Sequence, residues 1–135
     1  MIVVLDCNVL VSAARTKGTC RSVVMEVIRN HTNVLSQPIL DEFERVAIRA
    51  KHAQYCKIFQ KQIRILHEIS VFPDIQPNPV GLPDPGDEPY LAAAKAGNAE
   101  VLITGNLKDF PPEICFPIKI LDPRGFLEIV ESNEH

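Results

Sequence analysis

The sequence predicts an α/β domain built on a mostly parallel β-sheet, because short apolar runs alternate with longer amphipathic stretches. The first run, Ile2 to Leu5, is continuously apolar and rich in β-branched residues, as in a strand buried on both faces. A second such run spans Val101 to Ile103. Between the two runs, apolar residues recur at helical spacing, as they do from Thr19 to Arg29. Crossovers between parallel strands are expected to be right-handed.

Five strands and five helices are expected along the chain. The strands are predicted at residues 2–5, 34–35, 69–72, 101–103 and 118–121, the third of them as an edge strand with alternating apolar residues. The helices are predicted at residues 19–29, 38–50, 51–67, 87–97 and 123–130. A polar turn at residues 13–18 and a proline-rich loop at residues 74–86 interrupt this pattern, and residues 131–135 form a polar tail that is expected to fray.

The bulk composition is that of one folded domain. The chain has 135 residues, of which 46% are hydrophobic, enough to build one core. No apolar run has the length of a transmembrane helix, and no basic segment leads into a signal-peptide core. We therefore expect a single cytoplasmic domain over residues 1–135, with no membrane partner. The four cysteines have no metal-site spacing and are expected to be free thiols: Cys7, Cys20, Cys56 and Cys115.

Charge is unevenly distributed along the chain. The formal net charge is −3, which argues against a broad cationic surface for nucleic acid. Basic residues nevertheless crowd the middle of the chain: Arg45, Arg49, Lys51, Lys57, Lys61 and Arg64. Two interpretations stay open for this basic face. Either it binds RNA phosphates, with Arg45, Arg49 and Lys51 as the main contacts, or it is an ordinary solvated helix surface.

Acidic and amide side chains follow the predicted strands. Asp6 ends the first strand, and Asn8 lies two residues later, on the same side if the extended geometry continues. The others are Glu42 after the second strand, Asp84, Asp87 and Glu88 at the start of the fourth helix, and Asn106 and Asp109 after the fourth strand. The carboxyl ends of parallel strands share one edge of the sheet, where open α/β folds bind ligands. Three or four acids are therefore expected to meet there.

Several carboxylates at one edge indicate a site for a hard divalent cation. Mg²⁺ and Mn²⁺ prefer oxygen ligands, take one or two carboxylates directly, and keep water and substrate phosphates as the rest. Such a metal generates hydroxide and neutralises charge on a phosphodiester. Each residue also has a structural explanation: Glu42 as a solvated helix residue, Asp84 or Asp87 as a helix cap, and Asn106 as a turn residue.

Four stretches of the chain together resemble the PIN domain family of metal-dependent ribonucleases. They are IVVLDCNVLVSA around Asp6, LSQPILDEFERV around Glu42, DPGDEPYLAAAKAGNAEVLITGN around Asp87 and Thr104, and IKILDPRGFLEIV near the end. The first and third stretches are fairly specific in combination, whereas any one stretch alone is weak. The resemblance covers nearly the whole chain and looks closest to the toxins of prokaryotic toxin–antitoxin pairs.

The resemblance implies a PIN-like three-layer fold whose five-stranded parallel sheet has the order 3-2-1-4-5. It implies an endoribonuclease that cleaves single-stranded RNA with Mg²⁺ or Mn²⁺, pairs with a cognate antitoxin and forms a homodimer. The implied metal-binding and catalytic carboxylates are Asp6, Glu42 and Asp87, with Asp84 as a further metal candidate. The implied supporting residues are Asn8, Thr104, Asn106 and Glu88, and the register among the three acids of the third stretch stays open.

Two positions depart from the family pattern. Cys7 stands where the family often has Thr or Ser, and Asn106 stands where a fourth acid is common. Because Asn ligates without charge, a second metal and activity itself stay open, and Asp109 compensates only if its loop folds back. The alternative function is a catalytically degenerate PIN domain that binds RNA or a protein. A phosphatase of the haloacid dehalogenase type needs an acid at position 8, where this chain has Asn8, and a receiver-like domain needs an acidic pair that is missing.

Overall fold

A computed structural model describes residues 1–76 and 78–133. Its strands are β1 (Ile2–Leu5), β2 (Thr32–Asn33), β3 (Val101–Ile103) and β4 (Lys119–Leu121). Its helices are α1 (Cys7–Arg15), α2 (Thr19–Asn30), α3 (Gln37–Arg49), α4 (Cys56–Ile69), α5 (Glu88–Ala96), α6 (Pro112–Cys115) and α7 (Pro123–Asn133). Two short 3₁₀ helices, Pro85–Asp87 and Leu107–Asp109, stand before α5 and after β3.

Among the described residues, the sheet has four parallel strands in the order β2-β1-β3-β4. Val3 of β1 pairs with Val101 of β3, and Leu5 pairs with Ile103. Val3, Val4 and Leu5 are each at most 2% exposed, although successive residues of a strand point to opposite faces. Both faces of β1 are therefore covered, which is the three-layer arrangement expected of a parallel sheet.

The prediction of a fifth strand at residues 69–72 is wrong, because the sheet has four strands. One β-bridge, between Val34 and Val71, is found there instead. The N–H of Leu35 donates to Val71 O at 2.9 Å, and the N–H of Val71 donates to Asn33 O at 3.0 Å. Pro73 follows two residues later and has no N–H to donate, so the pairing does not continue. The observed order matches the predicted order 3-2-1-4-5 once the predicted strand 3, at the outer edge, is left out.

Several element boundaries also differ from the predicted ones. Helix α1 begins at Cys7, directly after β1, where the sequence pattern favours extended chain and then a turn. Strand β2 lies two residues earlier than predicted. Helix α4 begins at Cys56 rather than Lys51, because the residues between form turns, and α6 lies in a stretch predicted as loop. Helix α7 continues through Asn133, so the predicted fraying from Glu131 is wrong as far as Asn133, and residues 134–135 lie outside the described residues.

Two helices flank the end of the central strand. Helix α5 contacts β1 and β3, and α3 packs against α4 and α5. Glu42 lies in the second turn of α3, and Asp87 lies at the junction between the 3₁₀ helix and α5. All four cysteines are free, as predicted. Across residues 1–76 and 78–133, no helix has both the length and the apolar character that crossing a bilayer requires.

Candidate active site

Asp6 is a buried carboxylate at the carboxyl end of β1, with 5% of its surface exposed. Its backbone N–H donates to Ile103 O at 3.0 Å, which extends the pairing of β1 with β3. The hydroxyl of Thr104 donates to Asp6 Oδ2 at 2.8 Å and accepts the backbone N–H of Asn106 at 3.0 Å. Thr104, one of the residues expected to support the site, thus fixes the orientation of the carboxylate.

The charge of Asp6 is unfavourable where it lies. Burial raises the pKa of Asp6, and the charge of Asp109 raises it further. The Thr104 hydroxyl and the backbone N–H groups of Cys7 and Asn8 act in the opposite direction. Among the described residues, no basic side chain forms an ion pair with Asp6. A buried carboxylate without a positive partner is costly unless a cation or a proton is supplied.

Glu42 is carried toward the end of β1 by α3. This helix begins after Ser36, whose Oγ accepts the N–H of Ile39 at 3.4 Å, and Pro38 suits its first turn. The neighbouring Phe43 is fully buried, which fixes how the helix is turned. Glu42 itself is half-buried. Its position in the second turn of a capped and anchored helix is therefore well determined.

The pKa of Glu42 reports its surroundings. Burial raises this pKa, and the charge of Asp6 raises it further. The hydroxyl of Tyr90 and the guanidinium groups of Arg45 and Arg49 lower it. Glu42 and Asp6 therefore lie within charge interaction of each other although they come from different elements of the chain.

Asp87 stands at the junction between the 3₁₀ helix and α5. Asp84 Oδ1 accepts the N–H of Gly86 at 2.8 Å and so caps the turn that presents Asp87. Burial, together with the charges of four other acids, raises the pKa of Asp87 to about 7. In decreasing order these acids are Asp6, Asp84, Asp109 and Glu42. Asp87 is thus the acid whose pKa is raised by the charges of all four of these neighbours.

Glu88 does not belong to this group, although the sequence leaves it as a candidate. Its Oε1 accepts the N–H of Val80 at 3.0 Å, and its Oε2 accepts the N–H groups of Gly81 at 3.0 Å and Leu82 at 2.8 Å. These hydrogen bonds lower the pKa of Glu88. Both carboxylate oxygens are engaged by backbone, so Glu88 holds the proline-rich loop instead of facing Asp6.

The 3₁₀ helix after β3 brings a fourth acid to the same place. The N–H of Asp109 donates to Asn106 O at 3.0 Å, and the next residue, Phe110, is a buried anchor at 1% exposure. The charge of Asp109 raises the pKa of both Asp6 and Asp87. The loop therefore folds back, and Asp109 supplies a negative charge that Asn106 lacks. In the sequence, the aromatic residue Phe110 directly after Asp109 was the feature that could have indicated that this loop folds back.

Asn8 is not placed as the extended geometry predicts. Because α1 begins at Cys7, the chain is already helical at Asn8, and Asn8 is exposed. That prediction assumed a continued strand and is wrong for this reason. Cys7 is buried, and burial together with the charges of Glu42 and Asp6 raises the pKa of its thiol to about 12. Cys7 therefore stays a neutral side chain beside the acids.

Tyr90 is the residue of this region that the sequence pattern missed. It has the largest fully buried side chain of the protein, 1% exposed, among the described residues. Burial raises the pKa of its hydroxyl, and Cys7, Glu42 and Asp6 add to this effect. The signal in the sequence was a tyrosine one helical turn after Asp87, in a helix otherwise rich in alanine.

Basic side chains border the acids on one side. Arg45 and Arg49 follow Glu42 on α3 at spacings of three and seven residues, which place them along the same face of the helix. Both are exposed, and both lower the pKa of Glu42. Lys51 is exposed in the turn after α3. In the described part of the chain none of the three forms an ion pair, so their charges are available to a ligand.

The donor set fits a hydrated divalent cation better than a closed metal cage. Within residues 1–76 and 78–133, no three acidic, histidine or cysteine side chains lie close enough together to enclose a metal ion. Ligation of one cation by Asp6, Glu42 and Asp87 together thus stays a prediction. The acids nevertheless create a negative field, and among the described residues none of them forms an ion pair with a basic side chain. Mg²⁺ keeps several waters and needs only one or two carboxylates, so this arrangement suits it.

The fold and the site define a small parallel α/β domain with clustered carboxylates at the end of its central strand. The sequence profile of the PIN domain family matches residues 2–108. The chain belongs to the PIN domain family, which confirms the resemblance seen in the sequence. The matched range contains Asp6, Glu42 and Asp87 and ends one residue before Asp109.

Two solved structures have a similar fold. One is the crystal structure of VapBC2 from Rickettsia felis bound to a promoter DNA fragment, which matches with a TM-score of 0.59 and 17% sequence identity. The match covers 90% of this chain and 98% of that chain. VapBC-1 from nontypeable Haemophilus influenzae matches with a TM-score of 0.58 and 21% identity, over 92% and 99%. At these identities the likeness establishes the fold. None of the curated proteins matches the chain significantly in sequence.

Proposed function

We propose that this protein is an endoribonuclease that cleaves single-stranded RNA with Mg²⁺ or Mn²⁺ and is the toxin of a toxin–antitoxin pair. One observation carries the proposal. The charge of Asp6 raises the pKa of Glu42, and the charges of Asp6 and Glu42 both raise the pKa of Asp87. Among the described residues, no basic side chain forms an ion pair with any of the three acids. Such strained titratable groups cluster at functional sites, and a cation relieves the strain. Membership of the PIN domain family supports a phosphodiester as the substrate.

The proposed roles follow from where each side chain lies. Asp6, Glu42 and Asp87 hold the cation, and Asp84 and Asp109 add negative charge around it. Bound Mg²⁺ or Mn²⁺ supplies an activated water and neutralises charge on the phosphodiester during in-line attack. Of the three proposed ligands, Asp6 has the most restricted side chain, because it is buried and accepts a hydrogen bond from the Thr104 hydroxyl.

The RNA is held on the basic side of the acids. Arg45 and Arg49 bind backbone phosphates next to the bond that is cleaved, and Lys51 extends this contact along the strand. Arginine suits the task because its planar guanidinium can bind a phosphate through two hydrogen bonds. Positive charges beside the acids also offset the repulsion that a carboxylate cluster exerts on an approaching polyanion.

The proposed protein partner is a cognate antitoxin. The two similar solved structures are both of VapBC proteins, and one of them contains promoter DNA. A second copy of this chain, as a homodimer, is proposed on the family resemblance. Co-expression with the protein encoded next to it, followed by copurification and sedimentation, tests both associations.

Cleavage of a labelled single-stranded RNA by the purified protein tests the proposed activity. We expect cleavage with Mg²⁺ or Mn²⁺ and none with chelator. Glu42→Gln is expected to reduce cleavage by about a hundredfold or more, because it removes a charge that faces the cation. Glu44→Gln is the matched control, since Glu44 is exposed on the same helix, and it should cleave as the wild type does.

The outcome also separates the two candidate functions. RNA binding without cleavage under any metal would show a catalytically degenerate domain, the alternative that Asn106 suggested. Cleavage that persists undiminished in chelator would contradict metal dependence.

Removing the charges of Arg49 and Lys51 should flatten the salt dependence of RNA binding. Each phosphate contact to a single strand contributes about 0.7 to the slope of log affinity against log salt. Arg49→Ala combined with Lys51→Ala should therefore lower this slope by about 1.4 and weaken binding at low salt. Fluorescence anisotropy across a salt series measures the slope. Lys61→Ala combined with Arg64→Ala removes equal charge from exposed positions on α4, and an equal effect of both pairs would contradict a specific contact.

Restoring a charge at Asn106 should have opposite effects with and without metal. Asn106→Asp adds an anionic oxygen to a region where four acids already raise the pKa of Asp87. In chelator the added repulsion should lower the melting temperature, whereas Mn²⁺ affinity should rise by about tenfold, the equivalent of about 1.4 kcal/mol of added attraction. Calorimetric titration and melting curves measure the two effects. Asn98→Asp, at an exposed turn before β3, is the control. If neither quantity changes, the side chain of Asn106 is directed away from the acids.

A further inference from the structure

The hydroxyl of Tyr90 is unexplained by packing alone. Tyr90 is 1% exposed, and within the described residues its Oη has no hydrogen-bond partner. A buried hydroxyl without a partner loses its bonds to water and gains none, so it is unfavourable relative to a phenylalanine ring of the same shape. A position that needed only an aromatic ring would therefore be better served by Phe.

The surroundings of this hydroxyl are acidic. Burial raises the pKa of Tyr90 most, the charges of Cys7, Glu42 and Asp6 raise it further, and the backbone of Cys7 acts in the opposite direction. The influence is mutual, because the Tyr90 hydroxyl in turn lowers the pKa of Glu42. Helices α3 and α5, which carry Glu42 and Tyr90, pack against each other, and among the described residues Oη has no hydrogen-bond partner. Glu42 is only half-buried, so its side chain is partly open to solvent.

We propose that Tyr90 is a positioning residue of the metal site, whose hydroxyl donates to the Glu42 carboxylate when Glu42 turns toward the cation. The inference rests on the proposed function. One oxygen of Glu42 then accepts from Tyr90 and the other faces the cation, so that a flexible side chain is held in one orientation. Hydrogen bonds behind a metal ligand act in this way in metalloproteins generally. Tyr90 is buried and does not touch the RNA.

Tyr90→Phe keeps the ring and removes only the hydroxyl. We expect Mn²⁺ affinity to fall about tenfold, the lower end of what is lost with a partner of a metal ligand. The melting temperature in chelator should stay the same or rise, because an unpartnered polar atom is removed. At saturating Mn²⁺, kcat should fall while KM for RNA stays unchanged. Tyr55→Phe is the matched control, since Tyr55 is half-buried and lies under Arg15, with its ring centre 5.9 Å from the guanidinium carbon.

The Glu42→Ala background, which leaves no acceptor for the Tyr90 hydroxyl at this position, shows whether Tyr90 acts through Glu42. In that background, Tyr90→Phe should weaken Mn²⁺ binding no further. Undiminished Mn²⁺ affinity in Tyr90→Phe overturns the role of Tyr90 and leaves the proposed nuclease intact. A loss of affinity that comes with a lower melting temperature in chelator, or that is equal in the Glu42→Ala background, shows a structural role and also overturns it. A wild-type protein that binds no Mn²⁺ overturns both.

Discussion

Asp6→Asn is expected to slow RNA cleavage by about a thousandfold or more without unfolding the protein. Asparagine has the length of aspartate and can still accept the Thr104 hydroxyl, which lies 2.8 Å from Asp6 Oδ2. It offers no negative charge to a cation. Stabilisation of transition-state charge by a metal is worth several kcal/mol, and each 1.4 kcal/mol corresponds to about a tenfold change in rate. Single-turnover cleavage of labelled RNA in Mn²⁺ measures the loss.

Melting curves in chelator distinguish lost chemistry from a lost fold. Burial raises the pKa of Asp6, so the charged form is disfavoured in the folded state. A neutral amide relieves this penalty above the ordinary pKa of aspartate, and the variant should melt at the wild-type temperature or above it. Activity within tenfold of the wild type would show that Asp6 is not a metal ligand.

Metal-free protein is expected to lose stability as the pH rises from about 4 to about 7, and Asp87→Asn is expected to remove much of this loss. The pKa of Asp87 is about 7 in the folded protein, against an ordinary value of 3.8. Between these values the folded state keeps a proton that the unfolded chain has released, so a rising pH favours unfolding. Asp87 is partly exposed, and solvent screening therefore limits the effect to about 1–2 kcal/mol.

Urea unfolding in chelator across this pH range measures the effect. Above about pH 7 the contribution of Asp87 should be constant, because both states are then ionised. Mn²⁺ should restore the lost stability, since it binds the folded state alone. Asp74→Asn is the control, because Asp74 is exposed and lies on another segment. An equal dependence on pH in wild type and Asp87→Asn would mean that other groups carry it.

The two strands whose bounds were predicted correctly are the two central strands of the sheet. Residues 2–5 and 101–103 are strands as predicted, because a continuous β-branched run has no polar face to confuse the pattern. The edge position at Val71 could not be predicted in the same way. Its two hydrogen bonds come from a distant segment, and local alternation does not say whether such bonds will form.

Helix α1 shows where local preference fails. Its residues Val9, Leu10 and Ala13 are all at most 1% exposed, so tertiary burial stabilises a helix in a β-branched stretch. The placement of Asn8 was wrong for this reason. The starts of α2, α3, α5 and α7 were each predicted to within one residue.

The acidic group could be predicted as far as strand ends and helix starts determine it. Asp6, Glu42 and Asp87 interact as charges, which their sequence positions alone suggested. The choice between Asp87 and Glu88 could not be made, because it depends on which carboxylate accepts the backbone N–H groups of the preceding loop. The burial of Tyr90 depends likewise on packing between α3 and α5.

The three hydrogen bonds to Glu88 close the chain between Val80 and Glu88 into a small non-covalent ring. Asp84 and Asp87 both lie inside this ring, and Asp84 tightens it further by accepting the N–H of Gly86. The two acids are therefore held by preorganised backbone before any ligand arrives, and little entropy is left to lose when one binds. A loop rich in proline and glycine thus holds the two acids in place through its backbone hydrogen bonds, and an insertion between Val80 and Glu88 would loosen the site without replacing an acid.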